Sequence, residues 1–129
     1  TLSALAGKEL KEEELIQSLR ESCSNLIFCE IQGQYYIETG KETLPAELVL
    51  KAYDFFEQTV ELLLEQGGSL FYRLTDMDGV LRISVNLEGV CRTESLQEKY
   101  PLLHMEQEEE KEWFLALQLS EKGGRDEIL

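Results

Sequence analysis

Apolar residues recur at helical spacing in two segments of the chain. In residues 8–24 the repeating positions are Leu10, Leu15, Ile16, Leu19 and Cys23. In residues 45–65 they form a broader stripe at positions 48, 49, 52, 53, 56, 60, 63 and 64. Both patterns predict amphipathic helices. The breadth of the second stripe indicates that this helix buries one face against a sheet.

Local signals define the ends of these helices. Thr43 is expected to cap the second helix, Pro45 suits a first helical turn, and Gly67-Gly68 is a usual stop signal. Ahead of the first helix, the apolar residues 2, 5 and 6 would extend its stripe toward the N-terminus.

Alternating apolar and polar residues predict five strands. One hairpin is expected around Gln32-Gly33, and a second around the stronger turn signal Asp78-Gly79. The strands comprise residues 26–31, 34–39, 70–75, 80–86 and 113–119. A short helix over residues 94–100 and an acidic connector over residues 107–112 precede the last strand.

This order of elements predicts an α+β fold: a two-layer α/β sandwich with helices on one face of a mixed or antiparallel sheet. Residues 1–120 are expected to form a single domain, in which helix 8–24 could instead link to an upstream region. Residues 121–129 are expected to be a flexible tail.

The charge of the chain limits its ligands. Its 129 residues include 26 acidic and 12 basic side chains, a net charge of −14. Such a charge repels nucleic acid and anionic membranes, so contacts with neither are expected. It also opposes binding of free ATP unless Mg²⁺ or a local basic pocket compensates. The plain alternative is that the charge only keeps the protein in solution.

Cysteine and histidine supply few candidates for chemistry. Cys23, Cys29 and Cys91 form no CxxC pair, and we interpret the first two as small buried hydrophobic residues. His104 is the only histidine, and no zinc-ligand spacing surrounds it. No apolar run is long enough to cross a bilayer, so we expect a cytoplasmic domain, which could belong to a membrane-anchored protein.

The segment from Leu44 to Gly89, a long helix followed by Gly67-Gly68-Ser69 and a hairpin, resembles the core of the ATP-binding domain of bacterial sensor histidine kinases. The closing strand 113–119 extends the resemblance to this GHKL-type (Bergerat-fold) ATPase family. The resemblance implies binding of Mg-ATP and transfer of its γ-phosphate to a histidine. It also implies a partner, which is either an upstream dimerisation and phosphoacceptor region of the same protein or a response regulator.

The family's helix carries a Glu-x-x-x-Asn motif, which places both side chains on one face. Here Glu57 and Glu61 occupy these positions. The resemblance therefore implies Glu57 as the catalytic base and Glu61 as a cofactor-binding residue and Mg²⁺ ligand. The alternative is a solvated acidic helix face.

The family's second motif is Asp-x-Gly-x-Gly after the hairpin. The corresponding residues here are Leu87, Gly89 and Cys91, so only Gly89 matches as a cofactor-binding residue. The alternative for Gly89 is a turn after a strand. No glycine lies between Cys91 and Trp113, where the family has its glycine-rich lid over the phosphates.

Two hypotheses follow. The chain is the C-terminal ATP-binding-like domain of a two-component sensor histidine kinase, degenerate at its nucleotide motifs, with impaired or lost nucleotide binding. Its cofactor is then Mg-ATP if it is active, and none otherwise. Alternatively, it is a non-catalytic protein-interaction module of the same fold, of the anti-sigma or scaffold kind.

Overall fold

A computed structural model describes residues 7–120 and contains seven strands and three α-helices in that range. The predictions for the apolar residues 2, 5 and 6 and for the tail 121–129 lie outside the described residues. The strands are β1 (Glu9–Lys11), β2 (Ile31–Glu38), β3 (Thr43–Pro45), β4 (Gly68–Met77), β5 (Val80–Glu88), β6 (His104–Glu109) and β7 (Glu112–Ser120). The helices are α1 (Glu12–Leu26), α2 (Ala46–Glu61) and α3 (Glu94–Lys99).

The larger sheet has five strands in the order β2-β4-β5-β7-β6. Strands β2 and β4 are parallel, and the other neighbours are antiparallel. A parallel pair needs a long crossover, which α2 supplies, so α2 lies across the sheet. The predicted mixed α+β fold is confirmed.

Alternation places one face of β4, β5 and β7 in the core. Tyr72, Ile83, Val85 and Leu115 are at most 1% exposed, and Phe55 and Phe56 of α2 pack over them in the same cluster. The hairpin joining β4 and β5 and the single buried face of β7 are confirmed. Side chains on the opposite face of the sheet stay half-buried or exposed.

The hairpin predicted around Gln32-Gly33 is wrong. Helix α1 continues to Leu26, and a 3-10 turn over Ile27–Cys29 leads into one unbroken strand, β2. Glu30 reverses the chain with a left-handed φ of 60°. Gly33 lies within β2 because α1 packs there: a Cβ at this position would approach Leu26 Cδ1 to 2.8 Å.

Both predicted helices begin later than expected. Glu9–Lys11 is a strand paired with Thr43–Pro45, so α1 starts at Glu12. Thr43 is not a helix cap: it lies in β3, and its hydroxyl donates to the Glu9 carboxylate. Pro45 occupies the N-cap position of α2.

Three further predictions require correction. Helix α2 ends at Glu61, and turns carry the chain to Gly67, whose N–H donates to the Leu63 carbonyl at 2.7 Å. Most of the expected acidic connector belongs to β6 and the start of β7, because backbone pairing tolerates charged side chains at an exposed sheet edge. Cys29 is exposed rather than buried.

Candidate functional site

The two glutamates that the resemblance implies, Glu57 and Glu61, lie on the outer face of α2. Its inner face buries Phe55, Phe56 and Thr59 against the sheet, which leaves Glu57 and Glu61 exposed on the same helix. Glu61 lines a cleft, whereas Glu57 is exposed and does not line that cleft. The motif predicts that the two carboxylates act at one site, but in the structure only Glu61 of the pair borders this cleft.

The cleft lies between the end of α2 and the segment that follows β5. Its volume is about 280 Å³, and its polar walls are formed chiefly by Gln58, Glu61, Glu65, Arg92 and Ser95. Sites for drug-sized ligands commonly occupy about 300–1,000 Å³. Two carboxylates against one guanidinium also make a poor electrostatic match for a polyphosphate.

The segment at residues 92–103 closes one side of the cleft and packs onto the domain. Leu96 and Leu103 are 2% and 5% exposed and belong to the core cluster. The Tyr100 ring meets the Phe55 ring edge-on, with centroids 5.1 Å apart. Helix α3 is thus anchored to α2 by apolar contacts.

A polar network joins the same two helices. Lys99 Nζ lies 4.0 Å from Asp54 Oδ2. With the Gln58 amide oxygen turned toward it, Lys99 Nζ also donates to Gln58 at 3.1 Å, while the amide nitrogen donates to Glu61 Oε2 at 3.3 Å. Lys99 thus contacts Gln58 of α2 beside Glu61, at the edge of the cleft.

Gly89 lies in a different depression. It borders a hollow with Gly67, Gly68 and the β6–β7 turn, and it does not line the cleft of Glu61. Its φ is 153°, and a Cβ would approach the Gly67 carbonyl oxygen to 2.9 Å. Its N–H donates to the Lys111 carbonyl at 2.8 Å. These contacts explain the glycine by close backbone packing.

The remaining motif positions are apolar or weakly reactive. Leu87, aligned with the family's aspartate, is 2% exposed within the core. Burial raises the pKa of the Cys91 thiol, which favours its protonated form. In residues 7–120 no three His, Cys, Asp or Glu side chains converge as a metal-binding group. The residues present do not fit a magnesium–nucleotide complex well.

Sequence reasoning missed the residues that build this region. Asp54, Lys99 and Tyr100 carry the contacts between α2 and α3, yet they belong to no motif. A signal existed in the chain: Tyr100 and Leu103 supply apolar side chains around Pro101, which is typical of a packed turn rather than a mobile lid. His104 lies outside the cleft on β6, where its Nε2 is 2.9 Å from Glu106 Oε1.

No family model and no curated protein matches the chain by sequence. Solved structures do match by fold. The nucleotide-free catalytic domain of histidine kinase ThkA has a TM-score of 0.59 at 12% identity, over 88% of this chain and 94% of that one. In a complex of ThkA with the response regulator protein TrrA, the TM-score is 0.57 at 14% identity, over 87% of this chain and 41% of ThkA.

Two other solved structures also match the fold of this chain. A bacterial phosphotransferase has a TM-score of 0.66 at 14% identity, over 86% of this chain and 65% of that one. The histidine kinase domain of a blue-light activated kinase from Erythrobacter litoralis has a TM-score of 0.60 at 13% identity, over 88% of this chain and 64% of that one. The chain therefore has the fold of histidine kinase catalytic domains, as the sequence resemblance predicts. Within the described residues, no helix has the length and apolar character needed to cross a membrane.

Proposed function

We propose that the chain is the ATP-binding-like domain of a bacterial two-component signalling protein, and that its nucleotide binding is lost or strongly weakened. The proposal rests on one observation above all. Helix α3 packs on α2 through Tyr100, Phe55 and Asp54, in the segment that the resemblance assigns to the nucleotide lid. The small acidic cleft and buried Leu87 support the same conclusion.

Under this proposal the domain acts through protein contacts in the cytoplasm. Its partners are the dimerisation and phosphoacceptor region of the same protein or a response regulator. The complex of ThkA with TrrA supports this class of partner by analogy of fold. Glu57 and Glu61 then contribute a solvated acidic face rather than catalysis and Mg²⁺ binding.

Calorimetric titration with a non-hydrolysable ATP analogue and Mg²⁺ at low salt tests the proposal. We expect no saturable heat below about 1 mM, a standard free energy weaker than about −4 kcal/mol. Micromolar binding that Glu61→Ala weakens, while Glu13→Ala on α1 leaves it unchanged, would overturn it. Glu13 is a suitable control because it is also an exposed glutamate on a helix.

A second candidate, a non-catalytic interaction module, is favoured by the turn after α1. Ile27 and Phe28 are adjacent, and 71% and 84% of their surfaces are exposed. Neighbouring apolar side chains on a surface often contact a partner. Titration of a cognate regulator into wild type and Phe28→Ser should show binding weakened at least about tenfold. Leu50→Ser, at a separate exposed site on α2, is the matched control.

A further inference from the structure

The five-stranded sheet ends in β6 on one side and in β2 on the other, and these two edges differ in charge and regularity. Strand β6 carries Glu106, Glu108 and Glu109 within six residues, and its register against β7 is shifted. Charged side chains and bulges keep a sheet edge from pairing with another chain. Strand β2 has eight residues in continuous register with β4 and a single charged residue, Glu38. The β2 edge therefore lacks the protection that β6 has.

A backbone hydrogen bond fixes which groups of β2 face outward. The Gly68 N–H donates to the Glu30 carbonyl at 3.2 Å, and Gly68 is the Cα partner of Ile31. In a parallel ladder this arrangement directs the backbone groups of alternate residues toward the neighbouring strand. The even-numbered residues of β2 therefore bond to β4, and the odd-numbered residues direct their N–H and C=O groups to the edge.

The outward backbone groups of β2 have no hydrogen-bond partner among residues 7–120. Ile31, at the start of the strand, is only 2% exposed. The accessible part of the edge therefore consists of Gly33, Tyr35 and Ile37, which are all half-buried. Unpaired backbone groups along an accessible edge are a template for an added strand.

The edge also leaves apolar side chains partly uncovered on the side of the sheet that faces the helices. Tyr35 and Ile37 pack against the core cluster there but stay half-exposed, whereas Tyr72, next to Tyr35 on β4, is fully buried. Helix α1 is held toward α2, where the hydroxyls of Ser22 and Tyr53 are hydrogen-bonded at 2.6 Å. An added strand would cover the remaining apolar surface of Tyr35 and Ile37.

The charges around this edge favour an approaching acidic chain more than those at β6 do. Residues 31–37 carry no charged side chain. Arg20 of α1 donates its Nε–H to the Tyr35 hydroxyl at 3.3 Å, so a cation lies beside the middle of the edge. A second chain of net charge −14 is therefore repelled less here than at the glutamate-rich β6 edge.

A second copy of this chain has the backbone groups that the edge requires. A two-fold axis perpendicular to the sheet brings in the same edge, antiparallel and with the same face up. With the axis at Tyr35, Tyr35 pairs with Tyr35 of the second copy and Gly33 pairs with its Ile37. Each such pair exchanges two hydrogen bonds. This register therefore satisfies every outward group of the three accessible residues.

The side chains on the outer face agree with this register. It places Gln32 opposite Glu38 of the second copy and Gln34 opposite its Tyr36. A glutamine amide can donate to a carboxylate, and an amide and an aromatic ring are compatible neighbours. No like charges lie directly opposite each other, an arrangement that would oppose pairing. The strand is thus complementary to itself in both its backbone and its side chains.

We propose that two copies of this chain associate by antiparallel pairing of their β2 strands about Tyr35, which joins their sheets into one. The interface is separate from the α2 cleft and does not depend on nucleotide binding. One strand from each copy makes a small interface, so we expect a transient dimer with a dissociation constant of about 0.1–1 mM. Because salt screens the repulsion between two acidic chains, dimerisation should tighten as ionic strength rises.

Sedimentation equilibrium of the full chain at increasing concentration and salt measures the association, and amide hydrogen exchange by NMR locates it. The N–H groups of Gly33, Tyr35 and Ile37 should exchange rapidly in dilute solution. At 1 mM chain they should exchange about two- to fivefold more slowly, the ratio of total chain to free monomer for that range of dissociation constants. The N–H groups of Gln34 and Tyr36 bond to β4 and should be protected already in dilute solution. Amides of β6 should exchange at the same rate at both concentrations.

A charge at the centre of the edge tests the register. Gln34→Glu places a carboxylate diagonally across from Glu38 of the second copy, and from its own equivalent, so dimerisation should weaken about fivefold. Gln118→Glu is the matched control, because it makes the same charge change at an exposed glutamine on the outer face of β7. It should dimerise like wild type.

Four outcomes would overturn the proposal. The first is a chain that stays monomeric at 1 mM in high salt. The second is a dimer in which exchange at Gly33, Tyr35 and Ile37 does not depend on concentration, since another surface would then form the contact. The third is protection of these three amides in the dilute monomer, which would mean that the chain covers its own edge. The fourth is equal dimerisation of Gln34→Glu and Gln118→Glu.

Discussion

The hydroxyl of Tyr100 donates a hydrogen bond to Asp54 Oδ2 across 3.0 Å, joining the residue after α3 to the middle of α2. The two residues are 46 positions apart in the chain. The Tyr100 ring also packs edge-on against Phe55, one residue further along α2. A single side chain thus provides both an apolar and a polar contact between the two helices.

Removal of this side chain should loosen α3. Tyr100→Ala removes an aromatic pair and a hydrogen bond, each about 0.5–1.5 kcal/mol, so we expect destabilisation of about 1–3 kcal/mol. Amide hydrogen exchange at Gln97 and Leu103, whose N–H groups bond within this segment, should accelerate.

Tyr36→Ala is the control for that experiment, because Tyr36 is an exposed tyrosine that is also hydrogen-bonded to a carboxylate. It should leave exchange at Gln97 and Leu103 unchanged. Equal protection of these amides in wild type and Tyr100→Ala would contradict the role assigned to Tyr100.

Gly33→Ala should destabilise the domain by overpacking. The added methyl would lie 2.8 Å from Leu26 Cδ1 and 3.1 Å from Cys23 Sγ, so these side chains, or α1 with them, must shift. Overpacking of this kind costs about 1–3 kcal/mol. Urea unfolding of the single variant measures the loss.

The double variant Gly33→Ala/Leu26→Ala shows whether the clash is the cause. Leu26→Ala alone removes buried apolar surface, but in the double variant it also removes the clashing atom. The two changes should therefore cost less together than the sum of the separate costs. Strict additivity would indicate that Gly33 is required for another reason.

The three thiols should differ in reactivity. Burial raises the pKa of Cys23 and of Cys91, whereas Cys29 is exposed on the turn after α1. Since the thiolate is the reactive form, Cys29 should be alkylated at least about tenfold faster at pH 8. Peptide mass spectrometry after timed iodoacetamide treatment measures each rate, and Cys29→Ser should abolish the fast phase.

The free energy of unfolding should fall at alkaline pH because of buried Tyr72. Burial, followed by the nearby Tyr100, raises the pKa of its hydroxyl far above the ordinary value. The folded state keeps this proton, whereas the unfolded chain releases it near pH 10. The stabilisation is therefore complete below about pH 10 and is lost as the pH rises further.

Tyr72→Phe isolates this effect. At neutral pH the variant loses the hydrogen bond to the Ala52 carbonyl, 2.9 Å long in wild type, at a cost of about 0.5–1.5 kcal/mol. The gap between variant and wild type should shrink above pH 10 in chemical denaturation. A gap that stays constant to pH 11 would contradict the linkage.

The sequence predicted most accurately the elements whose patterns are long and regular. The alternation of Leu70, Tyr72 and Leu74 with polar neighbours identified β4, because a strand half-buried in a sheet must alternate. The helical stripe of α2 was equally clear. The strand predicted over residues 26–31 was wrong because a short apolar run fits the end of a helix as well as a strand.

The candidate site was less predictable. The family resemblance implied roles for Glu57, Glu61 and Gly89, yet the structure places Gly89 in another depression and leaves Glu57 outside the cleft. Motif spacing specifies positions along one element, whereas a site depends on which elements pack together. Their proposed roles in nucleotide binding stay predictions.

The sequence by itself determined the class of fold, the long amphipathic helix, the β4–β5 hairpin and the acidic character of the chain, because each follows from local periodicity or composition. Only the tertiary structure decided that Gly33 lies under α1, that Tyr100 holds α3 to α2, and that β2 pairs with β4 alone among the described strands. These relationships join residues far apart in the chain. Their geometry is set by packing and strand register, which no local pattern specifies.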